Sequence, residues 1–186
     1  MPRKIGVLVG SIRKESFNRK IVEKLIALAP AGMSFEFIKI DNLPLYNPDI
    51  DVENSVPVAW QNFRAAVRNC DAILFATPEY NRSIPGVLKN AIDVGSRPYG
   101  KSAWDTKPAA VISASMGAIG GFGANHHLRQ ILVFLNMPCM QQPEAYLGQV
   151  QNLFAADGIE ISNAESIKFF QNFITSFAAW VDKQLS

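Results

Sequence analysis

The chain has 186 residues, a hydrophobic fraction of 48%, a charged fraction of 18% and a formal net charge of +2. These values predict one globular domain over residues 1–186 with a sizeable apolar core. Charges of both signs are spread along the chain, which argues against a nucleic-acid-binding protein, because such proteins carry a basic stripe. No apolar run reaches the length of a membrane span, so we expect no membrane insertion.

Cysteine and histidine usage is sparse. The two cysteines, Cys70 and Cys139, have no motif spacing, so we expect them to be reduced, in a cytoplasmic protein. The two histidines, His126 and His127, are adjacent and would point about 100° apart on a helix. The sequence therefore predicts no metal site. The N-terminus lacks a cleavage-like site, so it does not resemble a signal peptide.

The first polar loop, residues 10–18, follows an apolar strand predicted at Ile5–Val9 and precedes a helical pattern that ends at Pro30. The first turn of a helix has free N–H groups and a partial positive charge, and therefore binds anions. The loop adds neutral donors and one planar cation, from Ser11, Ser16, Asn18 and Arg13. The loop therefore predicts a phosphate site, although Asn18 could equally be the N-cap and Arg13 could simply be solvated.

Two common phosphate motifs are absent from the chain. No Gly-x-x-x-x-Gly-Lys-Ser/Thr occurs, which argues against a P-loop nucleotidase. No Gly-x-Gly-x-x-Gly follows the first strand, which argues against a standard dinucleotide-binding Rossmann site. The loop is suited to a monophosphate held mainly by side-chain donors.

The next segments are predicted to be structural and contain no candidate ligand-binding residues. An alternating pattern predicts a second strand over residues 35–40, near a sheet edge. Residues 41–56 are rich in Pro, Asn and Asp and indicate a surface loop. A helix is predicted over residues 57–69, with Trp60 in the core.

A stiff polar stretch, residues 77–93, follows a buried strand predicted at Ala72–Ala76. Prolines at positions 78 and 85 restrict the loop, and Ser83 is predicted to cap the short helix that follows. Tyr80 offers a flat face and Asn81 an amide edge, which suits a planar heterocycle. The alternative is a turn that only connects strand to helix.

The second half of the chain continues the succession of strands, polar loops and helices. Residues 94–107 form a basic, aromatic loop in which Arg97 and Lys101 could attract an anion or could simply be solvated. A buried strand is predicted at 108–113, then a glycine-rich loop to 123 and a helix over 124–136 with Arg129 on its polar face. A strand over 137–146, interrupted by Pro143, precedes a last helix, which opens with the capping-box pattern Ser162-Asn163-Ala164-Glu165.

Strand–helix alternation along the whole chain predicts an α/β fold: a five-stranded parallel sheet with helices on both faces. In the order 2-1-3-4-5, the loops after strands one, three and four meet in one crevice at the carboxyl edge. One loop suits a phosphate and the other two suit a flat polar ring. A small ligand with both groups suggests FMN.

Three motifs carry a resemblance to a known family. They are Gly10-Ser11-x-Arg13-x-x-Ser16-x-Asn18, then Thr77-Pro78-Glu79-Tyr80-Asn81-x-Ser83-x-Pro85-Gly86-x-Leu88-Lys89-Asn90-Ala91-x-Asp93, then Ser113-x-Ser115-x-Gly117-x-x-Gly120-Gly121. The chain resembles the NADPH-dependent FMN reductases, and within them the bacterial chromate and quinone reductases. The helix segment His127-Leu128-Arg129-Gln130-Ile131-Leu132 also matches that subgroup.

The resemblance implies a flavodoxin-like fold, non-covalent FMN, and a homodimer or homotetramer. By motif, it implies that the FMN phosphate is surrounded by Ser11, Arg13, Ser16, Phe17 and Asn18. The isoalloxazine would be lined by Pro78, Glu79, Tyr80, Asn81 and Ser83, and its pyrimidine side closed by Ser115, Met116 and Gly117. The loop around Arg97 and Lys101 departs from the family pattern, so these two residues stand apart as candidate contacts to NADPH or to an anionic acceptor.

The implied activity is that of an NAD(P)H-dependent oxidoreductase. NADPH or NADH would pass hydride through the flavin N5 to a quinone, a dye or a metal oxyanion such as chromate, by ping-pong kinetics and with no catalytic side chain. Two alternatives remain open at this point. One is a flavodoxin-type electron carrier for a protein partner, and the other is a redox-sensing binding module without turnover.

Overall fold

The computed structural model describes residues 2–155 and 160–186. The chain forms a parallel sheet whose strands are β1 (Arg3–Val9), β2 (Met33–Phe37), β3 (Ala72–Thr77), β4 (Ala109–Ala114) and β5 (Tyr146–Leu147). The helices are α1 (Phe17–Ala27), α2 (Val58–Arg68), α3 (Gly86–Gly95), α4 (Phe122–Phe134) and α5 (Ala164–Leu185). Within the described ranges no helix is long and apolar enough to cross a membrane.

The strand order is β2-β1-β3-β4-β5, which confirms the predicted topology. Every residue of β3 and β4 is buried, because helices cover both faces of the sheet. One apolar layer is closed by α1 and α5, and the other by α2, α3 and α4. The order reverses between β1 and β3, so the loops that follow these strands open onto a crevice at the carboxyl edge.

The fifth strand is shorter than predicted. Only Tyr146–Leu147 pairs regularly with β4, and Cys139 makes an isolated bridge to Ala109 at the start of that strand. The intervening segment contains Pro143, which lacks the N–H group that a regular ladder needs. The predicted strand over 137–146, interrupted by Pro143, is therefore reduced to this isolated bridge and a short strand at its carboxyl end.

The start of α5 differs by one residue from the predicted capping box. Asn163, rather than Ser162, is the N-cap, and its side chain accepts a hydrogen bond from the Ser166 amide at 2.8 Å. The Ser162 hydroxyl donates instead to the Leu153 carbonyl at 3.0 Å. Ser162 therefore ties the helix start to the segment after β5.

The loop after α3 is held down by a buried tryptophan. Trp104 is fully buried, and its indole Nε1 donates to the Ile92 carbonyl at 2.9 Å. The Ala103 amide donates to the Gly95 carbonyl at 2.8 Å. The stretch predicted as a free basic loop is thus anchored at its centre, and its exposed part lies around Tyr99 and Lys101.

Candidate functional site

A cavity of about 220 Å³ lies at the carboxyl edge of the sheet, where the loops after β1, β3 and β4 meet. It is lined by Ser11, Arg13, Ser16, Phe17, Asn18, Pro78, Glu79, Tyr80, Ala114, Ser115, Met116 and Val150. The structure therefore brings together ten of the thirteen residues predicted to bind a cofactor.

The loop after β1 ends at the N-terminus of α1. Ser16 is the N-cap, and its hydroxyl accepts a hydrogen bond from the Arg19 amide at 3.3 Å. Asn18 is therefore inside the helix and not its cap. Arg13 is exposed and forms no ion pair with any described residue, so its guanidinium can contact a ligand.

Asn18 carries a buried polar atom without a partner. The side chain is 4% exposed, and its Nδ2 donates to the Ala114 carbonyl at 3.2 Å. This contact fixes the amide orientation, because a carbonyl oxygen must face the NH₂ group. The Oδ1 atom is left buried and without a hydrogen bond from any described residue. A buried acceptor of this kind requires a donor from a ligand or from water.

The loop after β3 is a tight hairpin turn. The amide of Tyr80 donates to the Ser83 carbonyl at 2.9 Å, and the Ser83 amide donates back to the Tyr80 carbonyl at 3.0 Å. Asn81 and Arg82, between them, have φ of 52° and 66°. Two successive left-handed residues give a type I′ geometry, which Asn tolerates better than Arg. The turn presents Tyr80, whose side chain is half exposed, at the mouth of the cavity.

Ser83 does not cap α3, so that prediction was wrong. The helix begins at Gly86 after Pro85, which makes no side-chain capping hydrogen bond. Ser83 is held in the hairpin, and its hydroxyl lies 3.1 Å from Nδ1 of His127 on α4. The end of this loop, at Ser83, therefore packs against α4 and lies outside the cavity lining.

Glu79 joins the loop after β3 to the start of α4. Its side chain is only 11% exposed, and Oε2 accepts a hydrogen bond from the Ala124 amide at 3.0 Å. A carboxylate at a helix N-terminus is stabilised by the free N–H groups there. Arg82 lies 3.6 Å from the other carboxylate oxygen. The Glu79 side chain thus has internal partners, although it borders the cavity.

The glycine-rich loop after β4 is held in place by two buried polar side chains, Ser113 and Asn125. Ser113 donates its hydroxyl hydrogen bond to the Gly120 carbonyl at 2.8 Å, and Asn125 donates to the Ser113 hydroxyl at 3.2 Å. Gly120 and Gly121 have φ of 63° and 77°, which other residues adopt with strain. A Cβ on Gly120 would stand 2.5 Å from the backbone carbon of Tyr146, so the loop can approach β5 only with glycine here.

Arg129 is tied into the interior rather than displayed on a polar face. Its Nε donates to Asn125 Oδ1 at 2.8 Å, and one terminal nitrogen donates to the Met140 carbonyl at 2.9 Å. The same chain of bonds runs on through Asn125 to Ser113 under the glycine loop. Arg129 therefore acts on the site indirectly, by fixing the Asn125 and Ser113 side chains that hold the glycine-rich loop.

An aromatic cluster flanks the glycine loop. His126 Nε2 lies 3.0 Å from the Tyr146 hydroxyl, and the rings of Phe122 and His126 have centroids 4.2 Å apart. Partial burial, with a hydrogen bond to Glu144, raises the pKa of Tyr146 to about 12. The phenol is therefore protonated at neutral pH.

Several predicted residues do not line the cavity. Asn81 is exposed at the tip of the hairpin, Ser83 pairs with Tyr80 at its base, and Gly117 is exposed in the glycine loop. Arg97 and Lys101 are also outside the lining; the Arg97 guanidinium carbon lies 5.9 Å from the Tyr99 ring centroid. Their predicted contacts to a substrate remain predictions.

Two lining residues were missed from the sequence, Ala114 and Val150. Ala114 is the last residue of β4. It was predicted as the first residue of the glycine-rich loop, which was the one available signal. Val150 enters from a short helical turn after β5, where its amide donates to the Ser115 carbonyl at 3.1 Å. An apolar side chain so far along the chain carries no chemical signal of its own.

The fold and this site define a flavodoxin-like protein. The profile described as NADPH-dependent FMN reductase matches residues 3–152. The chain belongs to this family, whose members are oxidoreductases that use FMN and NAD(P)H.

Similar proteins agree with this assignment. A quinone reductase of Pseudomonas putida is 58% identical over 177 residues, covering 95% of this chain and 94% of the relative. A 2-hydroxy-1,4-benzoquinone reductase of a Burkholderia species is 44% identical, with 97% of both chains covered. Among solved structures, FerB, a flavoenzyme NAD(P)H:(acceptor) oxidoreductase from Paracoccus denitrificans, is 39% identical, covers 98% of both chains and superposes with a TM-score of 0.90.

Proposed function

We propose that this protein is an NAD(P)H:quinone oxidoreductase that works by ping-pong exchange, and that the cavity at the carboxyl edge holds FMN. The observation that carries the proposal is the meeting of three loops at one cavity. The first loop is cationic, the second presents the flat side chain of Tyr80, and the third presents Ser115 and Met116. When bound, the flavin supplies the redox chemistry by accepting two electrons from NAD(P)H and passing them to the acceptor.

The first loop is suited to the phosphate and ribityl part of FMN. Arg13 and the amides at the N-terminus of α1 provide charged and neutral donors for a phosphate. The unpartnered Oδ1 of Asn18 needs a donor, and a phosphate at neutral pH has few protons to give. A ribityl hydroxyl satisfies this atom, so we assign Asn18 to the junction of phosphate and ribityl chain.

The other loops are suited to the ring. Glu79 and Tyr80 of the loop after β3 and the side chain of Ser115 provide polar groups at the ring edge. Tyr80 and Met116 are 50% and 60% exposed at the mouth of the cavity. We propose that donor and acceptor occupy this mouth in turn, next to the ring. No side chain is assigned a proton-transfer role, because the residues at the mouth serve to bind and orient.

The proposal extends to other soluble oxidants, dyes and metal oxyanions such as chromate, because one open mouth selects weakly among flat or small acceptors. It includes self-association into a homodimer or homotetramer, supported by Val133 and Phe134 at the end of α4, which are 75% and 86% exposed. It also includes a cytoplasmic location, supported by two free cysteines.

The first experiment is an absorption spectrum of the purified protein before and after anaerobic addition of NADPH. Flavin bands that bleach within seconds would support the enzyme. Bands that persist would favour a carrier or a sensor, and the lack of any flavin after FMN is added would reject the assigned site. Initial rates with NADPH and benzoquinone should then give parallel double-reciprocal lines, whereas intersecting lines would contradict ping-pong exchange.

A further inference from the structure

A second groove lies beside the first loop, on the side of β2. It has a volume of about 430 Å³ and opens between residues 11–14 and the carboxyl end of β2. Ser11 and Arg13 border both this groove and the cavity assigned to FMN. The two spaces are therefore neighbours on either side of one loop. We call the second space the cationic groove, for the charges that line it.

Four cationic side chains line the cationic groove: Arg13, Lys14, Arg19 and Lys39. Lys14 forms no ion pair with any residue in the described ranges. Arg13 is assigned to the FMN phosphate, so Lys14, Arg19 and Lys39 are the cations left for a second ligand. Lys39 lies 3.6 Å from Asp41, the carboxylate among the lining residues, and both side chains are largely exposed. Exposed pairs of this kind are weak, so the groove keeps a positive field.

The floor of the groove offers a flat surface. The guanidinium carbon of Arg19 lies 4.4 Å from the centroid of the Phe37 ring, and Arg19 Nε also donates to Glu23 at 3.0 Å. This stacking holds the planar guanidinium in one orientation. Ile12, in the same lining, is 63% exposed and adds apolar surface to the groove. A planar guanidinium and an exposed apolar side chain together suit a purine base.

We propose that the cationic groove binds the 2′-phosphorylated adenosine end of NADPH, and so favours NADPH over NADH. The assignment rests on the proposed function, in which a nicotinamide dinucleotide reduces the protein. The adenosine 2′-phosphate is a dianion attached to a flat base, which matches separate cations placed around a stacking surface. Because Ser11 and Arg13 border both spaces, the groove lies directly beside the site assigned to FMN, which the nicotinamide end must reach.

The first test measures binding without turnover. The FMN-loaded protein is titrated by calorimetry with 2′,5′-ADP and, separately, with AMP, which lacks the 2′-phosphate. We expect 2′,5′-ADP to bind about tenfold more tightly, the ratio that follows from one or two exposed charge-assisted contacts. The Lys14→Ala/Lys39→Ala double variant should lose this ratio. Equal affinities in the wild type, or an unchanged ratio in the double variant, would overturn the proposal.

Two controls identify the source of the effect. Lys168→Ala removes an exposed lysine of α5, outside both cavities, and should keep the wild-type ratio. Titration with inorganic phosphate separates an oxyanion site from an adenosine site. Inorganic phosphate that binds as tightly as 2′,5′-ADP, and that is lost in the double variant, would overturn the adenosine assignment.

Kinetics then separate this inference from the proposed function. In the double variant the KM for NADPH should rise about tenfold more than the KM for NADH. If the wild type oxidises neither nucleotide but keeps the 2′,5′-ADP preference, the proposed function fails and the groove assignment stands. If it oxidises both and the double variant shifts both KM values equally, the groove assignment fails and the function stands.

Discussion

The two edges of the sheet treat their polar groups in opposite ways. At the amino edge the groups pair with one another. The Lys4 amide donates to the Asp71 carboxylate at 2.7 Å, and the Asp71 amide donates to the Lys4 carbonyl at 2.7 Å. Lys107 Nζ donates to the carbonyls of Arg68 and Cys70, which closes the end of α2.

At the carboxyl edge several polar groups have no such partner. Arg13 and Lys14 form no ion pair with a described residue, and the Asn18 Oδ1 atom is buried without a hydrogen bond. The two cations are exposed and solvated, but a buried unpartnered acceptor such as the Asn18 Oδ1 is costly unless a ligand or water completes it. The amino edge therefore contributes stability, and the carboxyl edge is organised for binding.

The largest expected effect comes from closing the carboxyl edge with a methyl group. In Gly148→Ala the new Cβ would overlap the backbone carbonyl of Ala118 in the glycine loop. Backbone atoms cannot rotate away, so we expect a loss of about 3 kcal/mol in the free energy of unfolding, together with weaker FMN binding. Urea unfolding of the apoprotein and FMN fluorescence quenching measure the two effects.

Gly86→Ala is the matched control for that substitution. A Cβ on Gly86 meets no atom within 4 Å, and the residue starts α3 with no positive φ. It should leave the free energy of unfolding unchanged or slightly higher. Equal losses of unfolding free energy in both variants would mean that the close approach of Gly148 to the loop does not contribute to stability.

Removing one unpaired cation should affect ligand binding and not folding. Arg13→Ala is expected to weaken FMN binding by about 2 kcal/mol, because a charge-assisted phosphate contact is lost. Urea unfolding of the apoprotein should be unchanged, since Arg13 contacts no carboxylate among the described residues. Riboflavin, which lacks the phosphate, should bind the variant and the wild type equally. Unchanged FMN affinity with weaker riboflavin binding would contradict the assignment.

The amino edge should respond in the opposite way. Lys107→Met keeps the apolar stem but removes the donor to the end of α2, which should lower the free energy of unfolding by about 1 kcal/mol. FMN affinity should not change, because Lys107 lies at the edge away from the cavity. Lys168→Met is the control on an exposed helix face and should be neutral. A drop in FMN affinity for Lys107→Met would break the division between the edges.

The smallest effect concerns the pH dependence of a thiol. Burial raises the pKa of Cys70, with a further contribution from Glu36, so the thiolate is depleted at pH 8. The raised pKa means that the folded state favours the neutral Cys70 thiol. This contribution to stability is fully present below the ordinary thiol pKa and is lost as the pH rises through the folded pKa. In a Cys139→Ser variant, alkylation by iodoacetamide should be slow at pH 8 and fast in urea. Equal rates in both conditions would contradict a closed amino edge.

Local patterns predicted the strands, the helices and the polar loops, and the common doubly wound order then predicted the sheet order and the position of the site. Apolar runs such as Ala72–Ala76 identify buried strands, and polar loops after strands one, three and four place ligand groups at one edge. The local patterns erred where a partner distant in sequence decides the conformation. Ser83 has the residue type of a helix cap, but it closes a local hairpin with Tyr80, and its hydroxyl contacts the distant His127 of α4 instead of capping α3.

The amino-acid sequence by itself determined the α/β class, the strand order, the family and most of the cavity lining, because periodicity and local motifs are short-range properties. Tertiary structure alone decided that Glu79 joins the loop after β3 to α4, that Val150 reaches the cavity, and that cations from the first loop, α1 and the end of β2 meet in one groove. These contacts join segments that are distant in sequence, and residue spacing along the chain does not predict which distant segments the folded sheet brings together.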